Sequence, residues 1–148
     1  NRREPPMGFS WKIHPAERLV SFRVFGRSSV LETVDSLREL AMAPDFESSL
    51  RRIYVCEDGL EGGEGLDSTQ GAFVDVLAHQ IVKMFDHPAT VAFVFGRNNG
   101  VAADRFAITT RMCNAIYAQD GKGPMNHKEF NDVARALAWL DVSPDTRL

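Results

Sequence analysis

Thr90-Val91-Ala92-Phe93-Val94-Phe95 is an unbroken apolar run bounded by Pro88 and Gly96. Its length suits a strand, and a strand apolar on both sides needs cover on both faces, as in the middle of a mainly parallel sheet. Before it, Phe73, Leu77, Ile81 and Met84 or Phe85 recur at helical spacing, with Asp67, Ser68 or Thr69 able to cap. After it come a polar loop, Gly96-Arg97-Asn98-Asn99-Gly100, and a third helix from about Val101 to Tyr117 that turns Ala102, Phe106, Thr109, Cys113 and Ile116 or Tyr117 inward. The centre of the chain is therefore helix, buried strand, helix.

The same alternation continues outward in both directions. Upstream, Trp11-Lys12-Ile13-His14 and Leu19-Val20-Ser21-Phe22-Arg23-Val24-Phe25 alternate around a turn at Pro15-Ala16-Glu17, which predicts a β-hairpin. Ser28 or Ser29 can cap a first helix, in which Val30, Val34, Leu37 and Leu40 or Ala41 share one face and which Pro44 stops. Arg51-Arg52-Ile53-Tyr54-Val55-Cys56 is a short buried strand, followed by an acidic, glycine-rich loop from Glu57 to Leu66. Downstream, His127 to Phe130 forms a last strand, and Asn131 caps a final helix carrying Val133, Leu137 and Leu140 or Asp141. The order ββαβαβαβα implies an α/β fold with a five-stranded, mostly parallel sheet and four helices joined by right-handed crossovers. Trp139, Leu137, Phe93, Phe106, Leu77 and Val34 are expected to be buried together.

With 148 residues, 44% hydrophobic and 25% charged, the chain has the size and composition of one globular domain. Residues 1–10 are expected to be a disordered arm or an appended remnant, 11–142 the domain and 143–148 a C-terminal tail. Asn1 to Pro6 is polar with no apolar signal core, and Met7 is the expected natural start. A net charge of −3 argues against a general grip on nucleic acid, and no apolar run approaches the roughly 20 residues of a membrane span. Cys56 and Cys113 lie in apolar segments, which suits unpaired thiols in a reducing cytoplasm.

Three stretches resemble the STAS domain superfamily, in particular SpoIIAA-like bacterial proteins of unknown function related to anti-sigma-factor antagonists. They are Arg18-Leu19-Val20 through Gly26, Pro44-Asp45-Phe46, and Phe130-Asn131-Asp132-Val133 followed by Ala136-Leu137-Ala138-Trp139-Leu140. The last is a packing motif rather than a chemical one. The resemblance implies a STAS-like α/β fold and a phosphoacceptor serine at the start of the second helix. Ser68 is the better positional match and Thr69 the second; the plainer reading is that Asp67 or Ser68 merely caps the helix.

Other groups carry weaker signals. Asp58 and Asp67, with Arg97, Asn98 and Asn99, sit where an open α/β sheet holds ligands, at the carboxyl ends of the strands, and are candidate ligand or partner contacts. The loop around Arg97 lacks both the dinucleotide glycine spacing and a phosphate-binding lysine. His14, His79, His87 and His127 fall on separate elements with no metal spacing, so no metal and no cofactor is expected. Glu57, Asp58, Glu61 and Glu64 could hold a divalent cation weakly, or form a flexible acidic loop. No acid–base or nucleophile pair stands out.

The expectation is a non-enzymatic binding module that docks an unidentified protein partner, with a weak homodimer as the expected assembly. The alternative is a carrier for an anion or an apolar molecule, with a pocket at the strand carboxyl ends. The two differ in the core: a ligand-sized pocket at Phe73, Phe95 and Phe106 marks a carrier, and a filled core marks a docking module.

Overall fold

A computed structural model describes residues 8–25, 30–57, 68–97 and 99–148. Its elements follow one another as β1 (Gly8–His14), a 3-10 turn (Pro15–Glu17), β2 (Leu19–Phe25), α1 (Val30–Ala41), β3 (Arg51–Cys56), α2 (Ser68–Met84), β4 (Thr90–Val94), α3 (Gly100–Gln119), β5 (Asn126–Phe130) and α4 (Val133–Trp139). The five strands form one sheet in chain order, β1 antiparallel to β2 and every later pair parallel.

Because each parallel crossover steps in the same direction with the same hand, α1, α2 and α3 lie on one face. There α1 packs on α2 and α2 on α3. The first core lies beneath them, with Val20, Phe22, Tyr54, Val91 and Phe93 of the sheet meeting Leu37, Leu40, Ala78, Ile81, Cys113 and Tyr117 of the helices. A row of rings in strand register forms its floor: Phe22 stacks on Tyr54 at 4.5 Å between centroids, and Tyr54 on Phe93 at 5.4 Å. Such cross-strand aromatic pairs fix register as well as burying area.

The opposite face carries a second core, in which Leu19, Ile53, Val55, Ala92 and Val94 meet Ala136, Leu137 and Leu140 of α4. The six residues expected to be buried together are thus divided by the sheet. Phe93, Phe106 and Leu77 pack in the first core, Leu137 and Trp139 pack in the second, and Val34 is buried on α1, on the side of the first core. Trp139 is half-buried against Phe130, with ring centroids 5.6 Å apart. The physical reason is strand alternation: Ala92 and Phe93 are adjacent, so they point to opposite sides.

Three boundaries differ from the sequence expectation. β1 begins at Gly8 rather than after residue 10, with Gly8, Phe9 and Ser10 paired to Phe25, Val24 and Arg23. The tail is tied down: Lys12 Nζ donates to the Arg147 carbonyl at 3.1 Å, and Leu148 packs on the second core. The cap of α4 is Asp132, not Asn131; its Oδ1 accepts from the Arg135 amide at 3.1 Å. At the other end of α3, Gly121 takes φ +74°, and Lys122 donates back to the Tyr117 carbonyl at 2.9 Å. This left-handed step is the ordinary glycine ending of a helix.

Candidate functional site: a groove beside the last strand and a buried arginine

α3 does not reach across the far edge of the sheet. β5 has the sequence Asn-His-Lys-Glu-Phe, and its first four residues are exposed. Charged residues on an edge strand are expected, because they discourage unwanted pairing. Between β5 and α3 runs an open groove of about 530 Å³. Phe93 and Phe106 line its apolar part, with ring centroids 5.4 Å apart, and Asp104, Arg111, His127 and Glu129 its charged part. His127 meets the edge of the Phe93 ring at 6.2 Å.

Inside the first core, Arg52 is the largest fully buried side chain, 1% exposed. Its guanidinium lies over the Phe85 ring, 4.2 Å from the centroid, and Nη2 donates to Met125 Sδ at 3.2 Å. Nε is buried and has no hydrogen-bond partner among the described residues. The Tyr54 and Tyr117 hydroxyls lie beside it. Burial pushes the phenol of Tyr117 up to about 12 and raises that of Tyr54, while the Arg52 charge opposes both shifts. Tyr117 also donates to the Phe85 carbonyl, which joins the carboxyl ends of α2 and α3. A cavity of about 30 Å³ adjoins Arg52, bounded also by Tyr54, Phe93, Thr110 and Cys113.

The residues singled out from sequence are scattered. Asn99 is 3% exposed: its Oδ1 accepts from the Gly96 amide at 2.7 Å, and its Nδ2 donates to the Glu57 carbonyl at 3.1 Å. Its amide thus joins the carboxyl ends of β3 and β4 from a buried position. Arg97 is exposed in the same loop. Ser68 and Thr69 are the first two residues of α2. Asp58, Asp67 and Asn98 lie outside the described residues, as do Glu61 and Glu64 of the acidic loop. Glu57 pairs with Arg23 at 3.1 Å, both half-exposed.

The thiols are set by burial. It pushes Cys56 up to about 12 and Cys113 up to about 11. The cation that partly offsets this at Cys113 is Arg52 rather than the exposed Arg111. His79 sits on the outer face of α2, its Nδ1 3.5 Å from Asp75 Oδ1, with both side chains more than half exposed. Two features were not read from the sequence. One is the burial of Arg52, which a charged residue at the start of a strand does not signal. The other is a cross-strand pair, His14 Nε2 with Ser21 Oγ at 2.8 Å. Ser21 is 4% exposed, which shuts a substrate away from its hydroxyl. Burial, helped by Lys12, lowers the His14 pKa, so the ring is neutral and takes part in a neutral hydrogen bond.

No group of three or more His, Cys, Asp or Glu side chains among the described residues is arranged to hold a metal ion. No helix among them is long and apolar enough to cross a membrane. Comparison with protein-family models, curated proteins and solved structures finds no match.

Proposed function

We propose that this chain is a non-enzymatic, STAS-like binding module of the SpoIIAA-like kind, working in a reducing cytoplasm and docking a partner protein. The observation that carries the proposal is the groove between α3 and β5. Its volume, about 530 Å³, its apolar Phe93–Phe106 floor and its charged rim match a docking site with a dry centre and a wet border. The neighbouring β5 also offers a free edge, to which an extended segment of a partner can add as a further strand.

The carrier alternative has less support. Known small-molecule pockets span about 300–1,000 Å³. The cavity beside Arg52, about 30 Å³, is far smaller, so a carried molecule would have to occupy the open groove, whose volume falls in that range. The proposed regulatory residue is Ser68, with Thr69 as the second candidate. Because α2 and α3 both start at the carboxyl ends of the strands, Ser68 opens the same end of the molecule as the Asp104 turn of α3. A phosphate there would add negative charge near one end of the groove.

Affinity capture from the native cell tests the docking site. A partner held by the wild-type chain should be lost by Ala107→Arg in the groove and kept by Val76→Arg on the outer face of α2. Cross-links should map to β5. Capture by Ala107→Arg equal to wild type refutes the groove as docking site, and loss by Val76→Arg alone moves docking to α2.

A further inference from the structure

We propose that the free edge of β5 pairs with the β5 edge of a second copy of this chain, antiparallel about a two-fold axis through Lys128, so that the two sheets join into one.

β5 ends the sheet, and among the described residues only β4 pairs with it. Half of its backbone groups are used. The Asn126 amide donates to the Ala89 carbonyl at 3.2 Å, and the Phe130 carbonyl accepts from the Phe95 amide at 2.9 Å. Bonding direction alternates along a strand, so Asn126, Lys128 and Phe130 face β4, while the N–H and C=O of His127 and Glu129 face outward. Such a row of open donors and acceptors is a template for another strand. The charged side chains on this edge exclude most strands, and they select the one that fits.

A two-fold axis matches the edge against its own sequence read backward. With outward groups opposed and most of the strand overlapping, the pair is centred on His127, Lys128 or Glu129. Centring on His127 sets imidazole against imidazole, and centring on Glu129 sets carboxylate against carboxylate. Centring on Lys128 places each His127 opposite Glu129 of the second copy, on the groove face of the sheet. There an imidazole N–H can donate to a carboxylate, twice by symmetry, and unlike groups directly opposite favour pairing. His127 and Glu129 then form the hydrogen-bonded pairs, which exchange about four backbone bonds in all. Lys128 meets its copy at the axis, on the other face. Its Nζ lies over its own Phe130 ring, 5.5 Å from the centroid, and the two Phe130 residues are at opposite ends of the ribbon. The two ammonium groups therefore lean away from each other.

The groove wall repeats the pattern. Asp104 and Arg111 lie about two turns apart on α3 and have opposite charge. Reversal by the same axis sets each Asp104 on the side of the second copy's Arg111, across the merged grooves. A contact of one short ribbon is small, so the dimer is expected to exchange with monomer. An extended segment of a docked partner would take the place of the second copy, so self-pairing is the state of the chain alone.

The purified wild-type chain is the first probe. Sedimentation velocity between about 10 μM and 1 mM should show reversible monomer–dimer exchange, and monomer throughout overturns the proposal. Lys128→Cys should close a disulfide with its own copy under mild oxidation, because non-hydrogen-bonded residues face each other across an antiparallel pair at bridging distance. Glu129→Cys, offset from its copy, should not. Cys56 and Cys113 are buried and do not interfere. Equal cross-linking at both positions, or at neither, refutes the register. Glu129→Lys should raise the dissociation constant about tenfold, since two favourable cross-strand pairs are lost. Adding His127→Glu to it restores opposite charges in the same register and should return the constant close to wild type. No recovery in a double variant with a wild-type circular dichroism spectrum refutes the pairing. If the double variant fails to fold, Lys128→Cys decides. These readouts use the chain alone, so a monomer refutes self-pairing and leaves the groove standing as a docking site.

Discussion

Arg51 and Arg52 are adjacent in the chain and serve opposite faces of the sheet: Arg51 donates to the carbonyl of Leu140 at the end of α4, while Arg52 lies over Phe85 at the end of α2. Each places a cation against the carboxyl end of a helix, where free carbonyls and the negative end of the dipole favour it. Arg51 also donates to the Glu17 carbonyl at 2.6 Å, joining the turn before β2 to α4.

Arg51→Met should therefore destabilise the fold, because two carbonyls lose a charged donor. Charged hydrogen bonds contribute about 1.5–3 kcal/mol each, and Arg51 is only partly buried, so a total loss of about 1–3 kcal/mol is expected. Urea unfolding measures it, and an unchanged midpoint would show that water replaces the guanidinium without cost.

Leu137→Ala should cost more than Trp139→Ala. Leu137 is 2% exposed in the second core, and truncating a buried leucine costs about 2–5 kcal/mol. Trp139 is half-buried and rests mainly on Phe130, so about 1–2 kcal/mol is expected from its smaller loss of contact. The reverse order in urea titrations would make the tryptophan the keystone of that face.

Stability should fall above pH 9. Burial holds the thiols of Cys56 and Cys113 up at about 12 and about 11, whereas the unfolded chain releases these protons near 9. The unfolded state then binds fewer protons than the folded one, so stability is complete below about 9 and drains away toward 11–12. The urea midpoint should decline between pH 9 and 10.5. At pH 8 a disulfide reagent should find no thiol in the native protein and both after unfolding.

His14 should act in the opposite pH range. Its pKa is lowered by burial and by Lys12, so between the unfolded value of 6.5 and the lower folded value the unfolded chain holds the extra proton. Stability from this group is full above 6.5 and lost as pH falls through that window. NMR titration should place its inflection below 6.5, and His14→Gln should weaken the acid dependence of the urea midpoint. An inflection above 6.5 would contradict the assignment.

Ser68→Asp should fold as wild type does, because negative charge at a helix start is tolerated, yet change affinity for the captured partner. Ser68→Ala should not. Phosphopeptide mapping of protein from its native host should find a modified population. If Ser68 and Thr69 are unmodified under several growth conditions, and Ser68→Asp binds as wild type, the residue is a helix cap only.

The elements were legible because their signals are local. Thr90 to Val94 is apolar on both sides because helices cover both faces, and the face of α3 that buries Thr109, Cys113 and Tyr117 shows as spacing. What escaped depends on groups far apart in sequence. Arg52 is buried by Phe85 and Met125, dozens of residues away. Asn99 is occupied by Glu57 across two strands. The groove exists because α3 stops short of β5, and no periodicity records a helix that covers too little.

The strand order, identical to the chain order, bears on how the molecule is made. Each strand emerging from the ribosome finds its partner already in place, so the first face can be laid down progressively without waiting for distant segments. The second face has no such help. Leu19, Ile53, Val55, Ala92 and Val94 stay uncovered until α4 has been synthesised, within the last 16 residues of the 148. A chain stalled or clipped before Val133 would carry an almost complete sheet with one greasy side open to its neighbours, a form suited to clumping and to capture by chaperones.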